Sequence, residues 1–156
     1  MKFRTGGQTG VDRAVLDFCL ENQEEVCGWC PDGRKAEDGT IPTHYPLDEL
    51  EGAGYGERTE ANVRDSDGTL ILHPGNISGG TQLTAECCRK LGKPFLSLNL
   101  ISEDKEAQVE ELLEFMESEK IRELNVAGPR ASEESEAYGK TRIFLQLFLS
   151  ALRNKE

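Results

Sequence analysis

The sequence predicts an α/β fold, a parallel sheet covered by helices on both faces within a single domain spanning residues 1–156. Three observations predict it. Short apolar runs alternate with stretches of helical period along the whole chain. The runs GTLILH and PFLSLNL are apolar at consecutive positions, the pattern of strands buried on both faces. Glycine-rich segments stand where strands hand over to helices, as in GGQTG at 6–10.

Taken in order, residues 2–5 read as a short strand. Val11, Ala14, Val15 and Phe18 recur at helical spacing and predict a helix over 11–22, followed by a second strand over 25–29. From Pro31 to about Gly56 runs a long segment rich in Gly, Pro and charge. A connection of that length is expected to be a lid or binding segment, with disorder as the alternative. Residues 57–66 read as helix, GTLILH as strand, 81–91 as a helix closed by Gly92, and PFLSLNL as another buried strand. Beyond Ser102, Glu103 and Asp104 suit the first turn of an amphipathic helix marked by Val109, Leu112, Leu113 and Met116. LNVAG is the last strand. The final helix, about 133–153, carries Ile143, Phe144, Leu145, Leu147, Phe148 and Leu149 on more than one face, so it needs cover on two sides. A homo-oligomer, dimer or tetramer, is the expected source of the second cover.

Charge limits the partners. A net charge of −11 argues against a non-specific grip on nucleic acid or on an anionic membrane, since either requires a basic surface. An anionic ligand must be held by local groups. With no signal peptide and no apolar run near the ~18 residues of a membrane span, the chain is expected in the cytosol, its five cysteines as thiols.

In open parallel sheets, ligands sit beyond the carboxyl ends of strands, where helix N-termini offer free N–H groups to anions. Three segments here occupy such positions: GGQTG at 6–10, PGNISGGTQLT at 74–84 and GPRAS at 128–132. The first is neither G-x-G-x-x-G nor a P-loop, and a tight turn accounts equally well for Gly6 and Gly7. The second, with Ser78, Gly79, Gly80, Thr81 and Thr84, repeats the arrangement, so two loops converging on one ligand are expected. Arg58 and Arg64 flank a helix before GTLILH, Arg130 sits in the third loop, and Arg34 and Lys35 lie in the long segment. Basic residues beside glycine loops in an acidic chain predict a phosphate pocket. The candidate ligand-binding residues are Gly6, Gly7, Gln8, Thr9, Gly10, Asp12, Arg34, Arg58, Gly79, Gly80, Thr81 and Arg130.

The stretches GGQTGVDRA, GWCPDGRKAEDGTIPTHYPL, RTEANVRDSDGTLIL, SGGTQLTAE and LNVAGPRAS, in this order and over nearly the whole chain, resemble the putative molybdenum carrier family. The resemblance implies a Rossmann-like fold, usually oligomeric, in a wider superfamily that binds nucleotides or nucleotide-derived ligands. It also implies molybdenum cofactor (molybdopterin), a pterin with a terminal phosphate, as a possible ligand, because the family's algal member binds it. More distantly, the chain is similar to the lysine decarboxylase-like nucleoside-monophosphate phosphoribohydrolases. Their catalytic Arg stands before an Asp as Arg58 stands before Asp67, and their acidic residue falls where Glu86 closes SGGTQLTAE. Two departures weigh against that chemistry: Gln82 replaces the motif's third glycine, and NIS separates Pro74-Gly75 from Gly79-Gly80.

Asp12 has two readings. A carboxylate in a first turn is sufficiently explained by the helix dipole. As it would repel a phosphate on the same N-terminus, it is otherwise expected to bond a ribose hydroxyl, a pterin N–H or Arg13, with phosphate nearer Gly79–Thr81. Cys27 and Cys30 have C-x-x-C spacing but no second pair for zinc, since Cys87 and Cys88 are adjacent, and they read as thiols at a strand end. His44 and His73 belong to no metal-binding cluster, so molybdenum would arrive already ligated by its pterin. Three function classes stay open: a carrier of molybdenum cofactor or a related phosphorylated, nucleotide-like ligand; an N-ribosidic hydrolase with Arg58 and Glu86 as catalytic residues; and a nucleotide-ligand sensor.

Overall fold

A computed structural model describes residues 1–156. Its centre is a five-stranded, all-parallel sheet in the order β2-β1-β9-β7-β8, built from β1 (Lys2–Arg4), β2 (Glu25–Cys27), β7 (Gly68–His73), β8 (Phe95–Asn99) and β9 (Glu123–Ala127). Helices α1 (Val11–Asn22), α4 (Lys105–Ser118) and α5 (Ala137–Asn154) enclose the main core on one face. On the other, α2 (Tyr55–Asp65) and α3 (Gly79–Leu91) pack together, with Val63, Cys87 and Cys88 between them. The fold is therefore the doubly covered parallel sheet that the sequence pattern predicts.

The main core joins Phe3 of β1 to Phe148 of α5, whose rings meet edge to face with centroids 6.5 Å apart. Leu70 and Leu72 of β7 and Leu124 and Val126 of β9 fill the same layer. These central strands are buried along their middles, whereas β8 is mostly half-buried, against expectation. It is an edge strand, and only β7 pairs with it.

Other differences are local. The segment expected as one strand over 25–29 breaks at Gly28, whose backbone runs so close to the Thr5 carbonyl that a Cβ would stand 1.8 Å from it. β2 stays in the main sheet, while β3 (Trp29–Pro31) leaves it to pair in parallel with β6 (Asp48–Leu50). The helix after Ser102 is capped by Asp104, whose carboxylate accepts the Ala107 N–H at 3.3 Å. The last helix begins at Ala137, because residues 131–136 form turns in which the Arg130 carbonyl accepts the N–H groups of Glu133 and Glu134.

The long segment is ordered and folds around a core of its own. A 3-10 turn (Asp32–Arg34), the hairpin β4 (Lys35–Ala36) and β5 (Gly39–Thr40), and β6 wrap a small core of Leu16, Cys30, Ala36, Ile41, Tyr45 and Leu47. Arg34 stitches it together, donating to the backbone carbonyls of Ile41, Leu47, Pro42 and Tyr45 at 2.8–3.2 Å. All five cysteines are free thiols, and four are buried. No helix is long and apolar enough to cross a membrane.

Candidate functional site

The connection β1-α1-β2 runs toward one edge of the sheet and β7-α3-β8 toward the other, with α1 and α3 on opposite faces. Loops leaving β1 and β7 thus diverge and open a crevice over the carboxyl end of β9, where parallel sheets bind ligands. A small cleft lies there. The loop after β1 contributes Gly6 and Gln8, and the first turn of α1 contributes Asp12; α2 contributes Arg58, Thr59 and Asn62; α3 contributes Gly80 and Thr84. Asn125 through Gly128, Arg130 and Glu133 complete the wall, and Val126 and Ala127 are its only apolar members. A lining this polar suits a ligand recognised by hydrogen bonds and charge.

At the floor, Arg58 is 7% exposed, with Nη1 3.4 Å from Asp12 Oδ2 and Nε 3.4 Å from the Tyr55 carbonyl. It fits because residue 6 is glycine: a Cβ there would lie 1.9 Å from Nη1. Burial pushes the Arg58 pKa down and Asp12 partly restores it. Burial likewise raises the Asp12 carboxyl above the ordinary aspartate value, more than Arg58 and the Gln8 N–H lower it. Asp12 turns inward, accepting that N–H at 3.1 Å. Arg13 instead pairs with Asp38 at 2.9 Å and donates to the Gly7 carbonyl.

Both glycine loops leave N–H groups without partners in the chain, those of Gly6, Gly7, Gly10 and Asp12 in the first and those of Gly79 and Gly80 in the second. At the start of α1, Val11 N–H donates to the Pro129 carbonyl and Arg13 N–H to that of Gln8. At the start of α3, Thr81 Oγ1 accepts the Ser78 N–H and donates to the Ser78 carbonyl, while the N–H groups of Gly79 and Gly80 find no partner in the chain. Gln8 Nε2, on a side chain 7% exposed, is also without a partner, although its Oε1 accepts from Thr9 and Glu37. Buried donors are nearly always paired, so an orphan in a cleft marks a place for an acceptor. At the mouth, Arg130 Nε is 2.9 Å from Glu133 Oε1, and the guanidinium groups of Arg130 and Arg58 lie 5.4 and 5.7 Å from the Tyr55 ring centre.

Of the residues singled out in the sequence, Gly6, Gln8, Asp12, Arg58, Gly80 and Arg130 line one cleft. Gly79 stands at its edge through its free N–H. Gly7 packs behind the loop against Ile41 and Leu47, Gly10 against the Pro129 carbonyl, and Thr81 is a helix cap. Thr9 ties the loop to Glu37 and the Ala131 N–H. Arg34 lies apart, committed to its four carbonyls, and Arg64 pairs with Asp65. Glu86 is exposed, accepts from Gln82 at 3.2 Å and does not line the cleft, so it does not meet Arg58 there. Asp67 is structural: its carboxylate accepts the N–H groups of Arg122 and Glu123, both at 2.9 Å.

Sequence reasoning missed Thr59, Asn62, Asn125 and Glu133. Asn125 had a signal, a polar residue inside the apolar run LNVAG; buried in the strand, it donates to Thr69 Oγ1 at 3.2 Å. Asn62 and Glu133 sit among other polar residues and carried none. No three His, Cys, Asp or Glu side chains gather as a metal site requires.

The model of the circularly permutated YpsA SLOG family matches residues 3–149. A solved structure described as a "Putative molybdenum carrier protein" from Syntrophus aciditrophicus SB is 42% identical, covers 95% of this chain and 94% of its own, and superposes with a TM-score of 0.92. A comparison with curated proteins returns no match. The likeness to molybdenum carriers carried by the five sequence stretches thus extends over 95% of the chain, and the chain belongs to the circularly permutated YpsA SLOG family.

Proposed function

We propose that the chain binds and carries a small phosphorylated, nucleotide-like ligand in the cleft above β9, with molybdenum cofactor as the cargo that the similar solved structure's name points to. The observation that carries this reading is a set of donors lacking acceptors. The N–H groups of Gly79 and Gly80 and Gln8 Nε2 have no partners, and Arg58 and Arg130 stand beside them. A phosphate on the α3 N-terminus would satisfy the amides and meet Arg130, while Arg58 and Gln8 would serve acceptors deeper in the cleft. The molybdenum would be held by its pterin and not by protein side chains.

The carrier reading stands ahead of the hydrolase because Glu86 faces solvent on the outer side of α3. Carrying requires affinity without an acid and base aligned on a scissile bond. The exposed Ile143 and Leu147 of α5, which line a groove with Phe18 of α1, support assembly with further copies of the chain through that face. Five free thiols suit a reducing, cytosolic setting.

Native mass spectrometry of protein isolated from its own cells tests the assignment. A retained mass equal to molybdenum cofactor or another phosphorylated ligand is expected. Steady base release from adenosine monophosphate, abolished by Arg58→Ala, would overturn the carrier reading in favour of the hydrolase.

A further inference from the structure

Glu133 occupies the position that an incoming anion would take. Its Oε1 is 2.9 Å from Arg130 Nε, and its Oε2 lies 3.8 Å from the point at which a Cβ on Gly79 would stand. The carboxylate therefore reaches from the guanidinium at the mouth to the first turn of α3, where the two unpartnered N–H groups are. Gln8 Nε2, an independent buried donor lining the same cleft, also lacks an acceptor. The wall is thus equipped for an anion, and the anion already at its mouth is the chain's own.

We propose that Glu133 is a built-in competitor for the anionic group of the ligand. On binding, the phosphate takes Arg130 and the α3 amides, and the carboxylate swings out to solvent. The proposal rests on the phosphate-binding reading above and adds how the site limits its grip. Displacement is easy because the pair is weakly held: its side chains are 33% and 43% exposed, and Arg130 is the only hydrogen-bonding or ionic partner of the Glu133 carboxylate. Exposed pairs of this kind contribute little to stability. Glu37, three loops away in sequence but on the same rim, shows the contrast. Its carboxylate accepts from the hydroxyls of Thr9 and Ser132 and from the Ser132 N–H, which fixes it in place. A carrier must surrender its cargo, and a tethered carboxylate that re-pairs with Arg130 as phosphate leaves favours release without altering the donors themselves.

The test is calorimetric titration of inorganic phosphate into the parent protein, Glu133→Gln and Glu134→Gln. Glu134 carries the same charge on the same turn outside the cleft, so its variant controls for bulk charge. Glu133→Gln is expected to bind phosphate about fivefold or more tightly at low salt, the advantage shrinking at high salt, with Glu134→Gln close to the parent. Phosphate binding by Glu133→Gln alone would support the competitor in its strongest form. Equal or weaker binding by Glu133→Gln, beside clear binding by the parent, overturns the competitor and leaves the phosphate-binding reading standing. An equal gain in both variants also overturns it, as a general charge effect. No phosphate binding by any of the three overturns both readings.

Discussion

Gly6→Ala is the smallest change that disturbs the floor of the cleft. Its new Cβ would lie 1.9 Å from Arg58 Nη1 and 2.8 Å from Cδ and Cζ. Ordinary contact begins near 3.4 Å, so the guanidinium must retreat by about 1.5 Å. The backbone at residue 6 needs no adjustment, because its φ is one that alanine adopts and every clashing atom belongs to a flexible side chain. The contacts of Arg58 with Asp12 and with the Tyr55 carbonyl are already 3.4 Å long, so neither survives such a shift. Loss of one hydrogen bond to a charged group costs about 1.5–3 kcal/mol, and Asp12 is left more poorly compensated in a buried place. At this chain length each kcal/mol lowers the melting temperature by about 2–4 °C, which gives a fall of roughly 3–12 °C. Affinity for a ligand that reaches past its phosphate to the floor, such as adenosine monophosphate, should drop about tenfold or more, since Arg58 no longer faces it. Calorimetric melts and adenosine monophosphate titrations of the two proteins measure both effects. A Gly6→Ala protein that melts and binds as the parent does would refute the assignment of Arg58 to the cleft floor and of Gly6 as the residue that admits it.

Three further outcomes are expected. Gly80→Val should keep its fold and lose ligand binding, because a Cβ there meets nothing within 4 Å and would point into open space beside the cleft; equal losses of binding and melting temperature would instead make Gly80 a turn residue only. Because burial raises the Asp12 carboxyl above the ordinary aspartate range, the folded chain keeps a proton that the unfolded chain has lost over the interval between the two values. Stability owed to Asp12 therefore falls as pH rises through that interval, and Asp12→Asn should flatten this slope in urea melts run from about pH 4 upward; parallel curves for the two proteins would contradict it. Ile143→Asp, at a side chain 60% exposed, should leave the fold intact and reduce the particle size seen by light scattering, whereas Phe148→Asp should unfold the chain; an unchanged assembly after Ile143→Asp removes this face of α5 from the interface.

The elements that were legible in the sequence are those whose signal is a period. Helices over 11–22 and 81–91 and the strand GTLILH reappear within two residues of their expected bounds, because each is long enough for burial to impose its pattern. Burial of β8 was overestimated because a run of apolar residues does not say whether its strand lies at an edge. The break at Gly28 depends on contact with Thr5, which no local pattern encodes. Half of the predicted site residues line the cleft for a related reason. Glycines after strands and arginines near them mark the crevice of a parallel sheet, but sequence does not tell Arg58, which enters it, from Arg34, which secures four carbonyls elsewhere. Glu133 lay unseen among other glutamates until the turn before α5 brought it to Arg130.

The register of β1 against β9, with Lys2 beside Glu123 and Arg4 beside Asn125, joins the first strand of the chain to the last. Such distant pairings come late in folding, since a long loop must close before they form. The cleft lies on this seam, between the loop that follows β1 and the residues that follow β9. On a ribosome, the opening segment would wait with its glycines, its buried Asp12 position and its half of the anion site until the final strand emerged. Cargo loading is thereby tied to the pairing of β1 with β9: a chain in which that seam has not closed has no pocket to fill.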